Sequence, residues 1–180
     1  MRAQQYDDAD EQIQKILRER AASLAQAESE EQAVETRGLL LFLVGDETYA
    51  VDVEHVREIV NGFTVTRIPC VPSHVLGVIN VRGEIVSVVD LAAVLGSASS
   101  RTLEQEESSG IIVRFDEVTA MLVVDEIGDI IDVPTASIEP PLSSLDRAHA
   151  EMVSGSVYQD GRLIAIVNLA RILQPVGESA

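Results

Sequence analysis

From position 39 onward the chain alternates short β-branched and aliphatic runs with clusters of turn-forming residues. Runs 39–44 and 49–53 flank Gly45-Asp46-Glu47-Thr48, and runs 78–81 and 85–89 flank Arg82-Gly83-Glu84. Runs 111–115 and 118–124 flank Asp116-Glu117, and runs 156–158 and 163–167 flank Gln159-Asp160-Gly161-Arg162. Paired runs around tight polar turns predict four β-hairpins. Pro69, Pro72, Pro134, Pro140 and Pro141 fall between the runs, where a missing amide hydrogen costs no ladder hydrogen bond. Ahead of Gly38 the period changes. Ile13, Ile16, Leu17, Ala21 and Leu24 recur at spacings of three and four, with no Gly or Pro in residues 1–37. This predicts an amphipathic helical extension over 1–37, ahead of a body over 38–175. Its apolar stripe is thin, so the helix frays unless it docks.

The body repeats itself. GVINVRGEIVSVVDLAAVL (77–95) overlays GSVYQDGRLIAIVNLARIL (155–173) at an offset of 78 without gaps. Gly83 meets Gly161, Asp90 meets Asn168, and Leu91, Ala92 and Leu95 meet Leu169, Ala170 and Leu173. A weaker echo at an offset of 71 sets VDVEHVREI (51–59) over LVVDEIGDI (122–130). Two units of about 60 residues are each marginal as cores, so they share an interface within one domain. Twisted short strands that must hide their edges favour two small barrels over an open sheet. Asp90 and Asn168, each just before a short Ala- and Leu-containing run, predict N-caps of short helices closing the repeats. The Ser- and acid-rich stretch 96–110 predicts a polar surface loop.

Charge narrows the function. Thirteen Lys and Arg against thirty Asp and Glu give a net charge of −17, which repels nucleic acid and anionic membrane surfaces. No apolar run reaches the ~20 residues of a membrane span, and the first residues lack the form of a signal peptide, so a cytoplasmic protein is expected. The single cysteine, Cys70, excludes an internal disulfide. Aromatics at 3% cannot supply a stacking platform.

Candidate chemistry is thin. The histidines are His55, His74 and His149; a Cys70–His74 pair lies in a Pro-flanked loop with no oxyanion site marked, and Ser154-Gly155-Ser156 lacks the nucleophile-elbow frame. Asp125, Glu126, Asp129 and Asp132 lack the spacing of a calcium loop and read as a solvated edge. Neither phosphate-cradling glycine motif occurs. The expectation is a non-enzymatic binding protein with no catalytic residues, no metal and no cofactor. Two polar interruptions of apolar strands stand out. Asn80 and Arg82 break GVINVRGE, and Arg82 is one of only eight bases beyond Gly38. An arginine fork there suits a carboxylate, either on a partner or within the fold at Glu84 or Asp90. In VEHVREIV, residues Val56, Ile59 and Val60 form an apolar ridge beside Arg57 and Glu58.

LFLVGDETYAVDVEHVREIV, TRIP, GVINVRGEIVSVVDL, AMLVVDEIGDII and GRLIAIVNLARIL, in this order, resemble the CheW family of chemotaxis coupling proteins over residues 39–173. The resemblance implies two intertwined five-stranded SH3-like barrels and a non-enzymatic adaptor. It implies that the adaptor links the regulatory domain of the histidine kinase CheA to the cytoplasmic tip of methyl-accepting chemoreceptors, recruited to membrane-associated arrays without touching the membrane. A relative of the same kind in a non-motility chemosensory pathway is the alternative. Carried over by motif, Val56, Glu58, Ile59, Gly77, Asn80, Arg82 and Gly83 fall near the receptor-binding groove, with Ile130 lining it from the second unit. Ile111, Ile112 and Met121 match a region used against the kinase. Ser87 departs from the proline common in the family, and neither a receiver nor a kinase segment is expected after Leu173.

Overall fold

The computed structural model describes residues 35–97, 109–141 and 147–173, with 147–149 as backbone only. The helix expected over 1–37 and most of the polar loop over 96–110 lie outside the described residues. Ten strands follow in chain order: β1 (Thr36–Val44), β2 (Glu47–Asp52), β3 (Val56–Asn61), β4 (Val75–Val81), β5 (Glu84–Asp90), β6 (Ser109–Phe115), β7 (Val118–Val124), β8 (Glu126–Pro134), β9 (Val153–Gln159) and β10 (Arg162–Val167). The four hairpins form at the expected turns. β1 reaches two residues further back than Gly38, because Thr36 and Arg37 pair with Pro134 and Val133 of β8. The short helix Arg147–Met152 has no counterpart in the sequence reading.

The two five-stranded sheets run β8-β1-β2-β10-β9 and β3-β6-β7-β5-β4. With β1–β5 as the first repeat and β6–β10 as the second, each sheet takes a hairpin from one repeat and three strands from the other. The exchange is symmetric: β8 lies beside β1 as β3 lies beside β6, and the parallel pair Ala165↔Tyr49 matches Ser87↔Ala120. The repeats are intertwined, so neither buries its apolar surface alone.

Burial explains why the hairpin strands read as nearly continuous apolar runs. Leu39, Ala50, Val133, Val157, Ile164 and Ile166 fill one sheet's interior, and Ile79, Val86, Val88, Ile112, Met121 and Val123 fill the other's. Between them a third core takes Leu40, Phe42 and Val44 from one sheet and Ile111, Val113, Leu122 and Val124 from the other. Alternate side chains of β1, β6 and β7 therefore point into different cores, and both faces of these strands are buried.

The repeated glycines have a steric origin. Gly77 has φ 145°, and a Cβ there would overlap the Thr66 carbonyl oxygen, where the 66–78 bridge crosses the strand. Its counterpart Gly155 sits under Ile138 and Glu139 at the equivalent 139–156 bridge, with an added Cβ 2.8 Å from Ile138 Cγ2. The predicted caps form. Asp90 accepts hydrogen bonds from the Ala92 and Ala93 amides at 3.1 and 3.4 Å, and Asn168 accepts from the Arg171 amide at 3.4 Å. They start helices Leu91–Leu95 and Leu169–Ile172.

Candidate partner-binding site

β3 and β4 are the two edges of their sheet, yet the ends of that sheet meet through side chains. The β4–β5 hairpin turns on two residues, Arg82 and Gly83, both with positive φ (52° and 90°). Glycine adopts this conformation freely; for arginine it costs on the order of 1 kcal/mol, held here by the hairpin around it. Asn80 supports the turn, its Oδ1 accepting from the Gly83 amide at 2.9 Å. The turn projects Arg82 towards β3, where Arg82 Nη2 donates to Glu58 Oε2 at 2.6 Å. A β-bulge between Val56 and Glu58 lets the preceding residue reach the same hairpin, and Arg57 Nη1 donates to Glu84 Oε2 at 3.0 Å. These crossed ion pairs clasp the open side of the sheet around a cavity of about 280 Å³ walled by Val81, Val86 and Ile112. Arg82 remains 84% exposed while Glu58 is 27% exposed, so the arginine keeps donors free for a partner.

The structure separates the motif residues by role. Glu58 and Arg82 are brought together, and neither Glu84 nor Asp90 takes Arg82; Glu84 is held by Arg57 instead. Gly77 is buried and serves the strand crossing, while Gly83 and Asn80 shape the turn. Val56 packs against the central core. Ile59 and Ile130, equivalent in the two repeats, are 46% and 61% exposed on β3 and β8, the edge strands of the two sheets. Ile111, Ile112 and Met121 are 0%, 2% and 0% exposed. They are core side chains filling both faces of the β6–β7 hairpin, and the residues of its tip, Asp116, Glu117 and Val118, are exposed. Ile85, 64% exposed beside Asn80 in the hairpin, was missed; its signal was the alternation of β5, which leaves Ile85 and Ser87 on the outer face.

Asp125, Glu126, Asp129 and Asp132 are all exposed, with Asp125 accepting from the Gly45 amide. Cys70 is exposed with φ 59°. Among the described residues no group of three or more His, Cys, Asp and Glu is placed to hold a metal, and no helix is long and apolar enough to cross a membrane.

Two intertwined β-sheets presenting an ion-paired rim and exposed aliphatic side chains define a protein-interaction module. The family model for the CheW-like domain matches residues 38–176, and the chain belongs to the CheW family of chemotaxis scaffolding proteins. It is similar to the chemotaxis protein CheW of Helicobacter pylori (27% identity, covering 89% of this chain and 95% of that one). The chemotaxis protein CheW of Rhizobium meliloti is 32% identical, covering 74% and 84%. The crystal structure of scaffolding protein TtCheW from Thermoanaerobacter tengcongensis superposes with a TM-score of 0.73 at 29% identity, covering 81% of this chain and 98% of that one.

Proposed function

We propose that this protein couples the regulatory domain of the histidine kinase CheA to the cytoplasmic tip of methyl-accepting chemoreceptors. The reading rests on family membership, and the observation that carries it to particular residues is the exposed Arg82 held on Glu58 at the mouth of the clasped sheet. A receptor helix bundle presents an aliphatic stripe with flanking charges. Ile59 and Ile85 offer it apolar contact, Arg82 fixes its orientation, and Ile130 extends the contact on the second sheet. The kinase takes the tip of the β6–β7 hairpin, stiffened from beneath by Ile111, Ile112 and Met121. No bond is made or broken. The protein works by holding two partners at high effective concentration and biasing the kinase between its states. It acts in the cytoplasm, recruited to receptor arrays.

Co-sedimentation tests the reading. Receptor cytoplasmic fragments on vesicles are expected to bring down the kinase only when this protein is present. Kinase recovery that is independent of the protein would contradict the coupling role.

A further inference from the structure

The second repeat carries the counterpart of the clasp, and there the charges do not match. At the offsets of 71 and 78, Arg57 and Glu58 become Gly128 and Asp129, Arg82 becomes Asp160, and Glu84 becomes Arg162. Both ion pairs of the first repeat are therefore lost. Beside this hairpin, backbone pairing between the parallel strands β2 and β10 is confined to Ala165↔Tyr49 and Ile166↔Ala50. Ahead of those pairs a cavity of about 600 Å³ opens between the strands. Its wall includes Tyr49 and Ser156, both buried, and Leu163, 45% exposed. On its rim stand Asp46 and Glu47 from the β1–β2 turn and Arg162 from the start of β10. Glu47 is engaged by the Tyr49 hydroxyl at 2.7 Å. Asp46 and Arg162 form no hydrogen bond or ion pair among the described residues, with each other or elsewhere.

We propose that this cavity is a second docking site, which takes a peptide segment of a partner protein presenting an aliphatic side chain between a basic and an acidic residue. The volume lies in the range of ligand pockets, and its apolar wall has room for a Leu-sized group. The open acid and base on one rim supply the opposite poles for the flanking charges, whereas Glu84, the first-repeat equivalent of Arg162, is held by Arg57. A protein of charge −17 also attracts the basic residue of such a segment from a distance. The site shares its sheet with Ile130, but neither Ile130 nor Arg82 lines the cavity, so its occupant is a different segment from the receptor contact proposed above.

The test is titration of the nitrogen-labelled full-length chain, followed by amide chemical shifts, with acetyl-Lys-Leu-Glu-amide and with the reversed acetyl-Glu-Leu-Lys-amide. Acetyl-Glu-Leu-Glu-amide is the control. Saturable shifts in the millimolar range, centred on Thr48, Leu163 and Ala165 and produced by at least one mixed-charge peptide but not by the control, are expected. Asp46→Lys and Arg162→Glu, both at exposed positions that leave the fold intact, are each expected to weaken that binding at least tenfold. Absence of saturable shifts, equal shifts with the all-acidic control, or unchanged binding in both variants would overturn the proposal.

Discussion

Arg82 Nη2 lies 2.6 Å from Glu58 Oε2, joining the turn of one hairpin to the edge strand at the opposite end of the same sheet. The pair is solvent-facing, and exposed ion pairs contribute only about 0–1 kcal/mol to stability. Its value lies in orientation. Arg82→Glu sets two carboxylates against each other at the rim and is expected to abolish receptor coupling while leaving the thermal midpoint within about 3 °C of wild type. The double variant Glu58→Arg with Arg82→Glu restores the pair reversed, yet presents the wrong charge outward and stays uncoupled. Receptor co-sedimentation beside a calorimetric melt separates the two effects, and wild-type coupling in Arg82→Glu would remove the rim from the binding site.

Gly77→Ala forces a Cβ onto the Thr66 carbonyl at a φ of 145°, and that carbonyl is backbone held in place by the 66–78 bridge. A loss of about 3 kcal/mol or more is expected. Gly155→Ala meets the Ile138 methyl at 2.8 Å and the Glu139 carbonyl oxygen at 3.0 Å, a looser approach than at Gly77 and without a positive φ, so its cost is smaller. Urea unfolding of both variants checks the order.

Ile112 and Met121 are closed in one core and Ile111 in another, so truncating any of them to Ala leaves a cavity costing about 2–5 kcal/mol. Kinase affinity is expected to fall only as far as the unfolded fraction rises. Val118→Glu at the exposed hairpin tip, by contrast, weakens kinase binding with a stability change within about 0.5 kcal/mol. Binding titrations set beside urea midpoints distinguish the two patterns.

Tyr49 has its phenol pKa pushed well above the ordinary value near 10, first by burial and then by its hydrogen bond to Glu47 and the Glu47 charge. The folded state holds this proton more tightly than the unfolded chain. The resulting stability is complete below the unfolded value and is lost as pH rises through about 10 and beyond, where the unfolded chain ionises first. Tyr49→Phe is expected to flatten the fall of the thermal midpoint above about pH 10, as measured by alkaline melts.

Much of this architecture was legible in the residues. The gapless overlay of 77–95 on 155–173 gave the duplication, Asp90 and Asn168 marked their helix starts, and Arg82-Gly83 marked its turn, because each is a local effect of backbone chemistry. The exchange of hairpins between sheets was not legible from spacing, since β1 pairs with β8 and β3 with β6 across separations that no local pattern encodes. The same gap hid the partner of Arg82. Glu84 and Asp90 are near it in sequence, but Glu58 reaches it only when the sheet curls back on itself. The family resemblance set Ile111, Ile112 and Met121 in a region used against the kinase; that their side chains are buried, because the hairpin is covered on both faces, was not legible from the runs 111–115 and 118–124.

The coupling role is tested most directly by calorimetric titration of the full-length protein into the regulatory domain of its organism's CheA, at two salt concentrations because the chain carries −17. Saturable one-to-one binding that survives the higher salt is the predicted result. Absence of binding at both salt concentrations, to every CheA homologue of that organism, would contradict it.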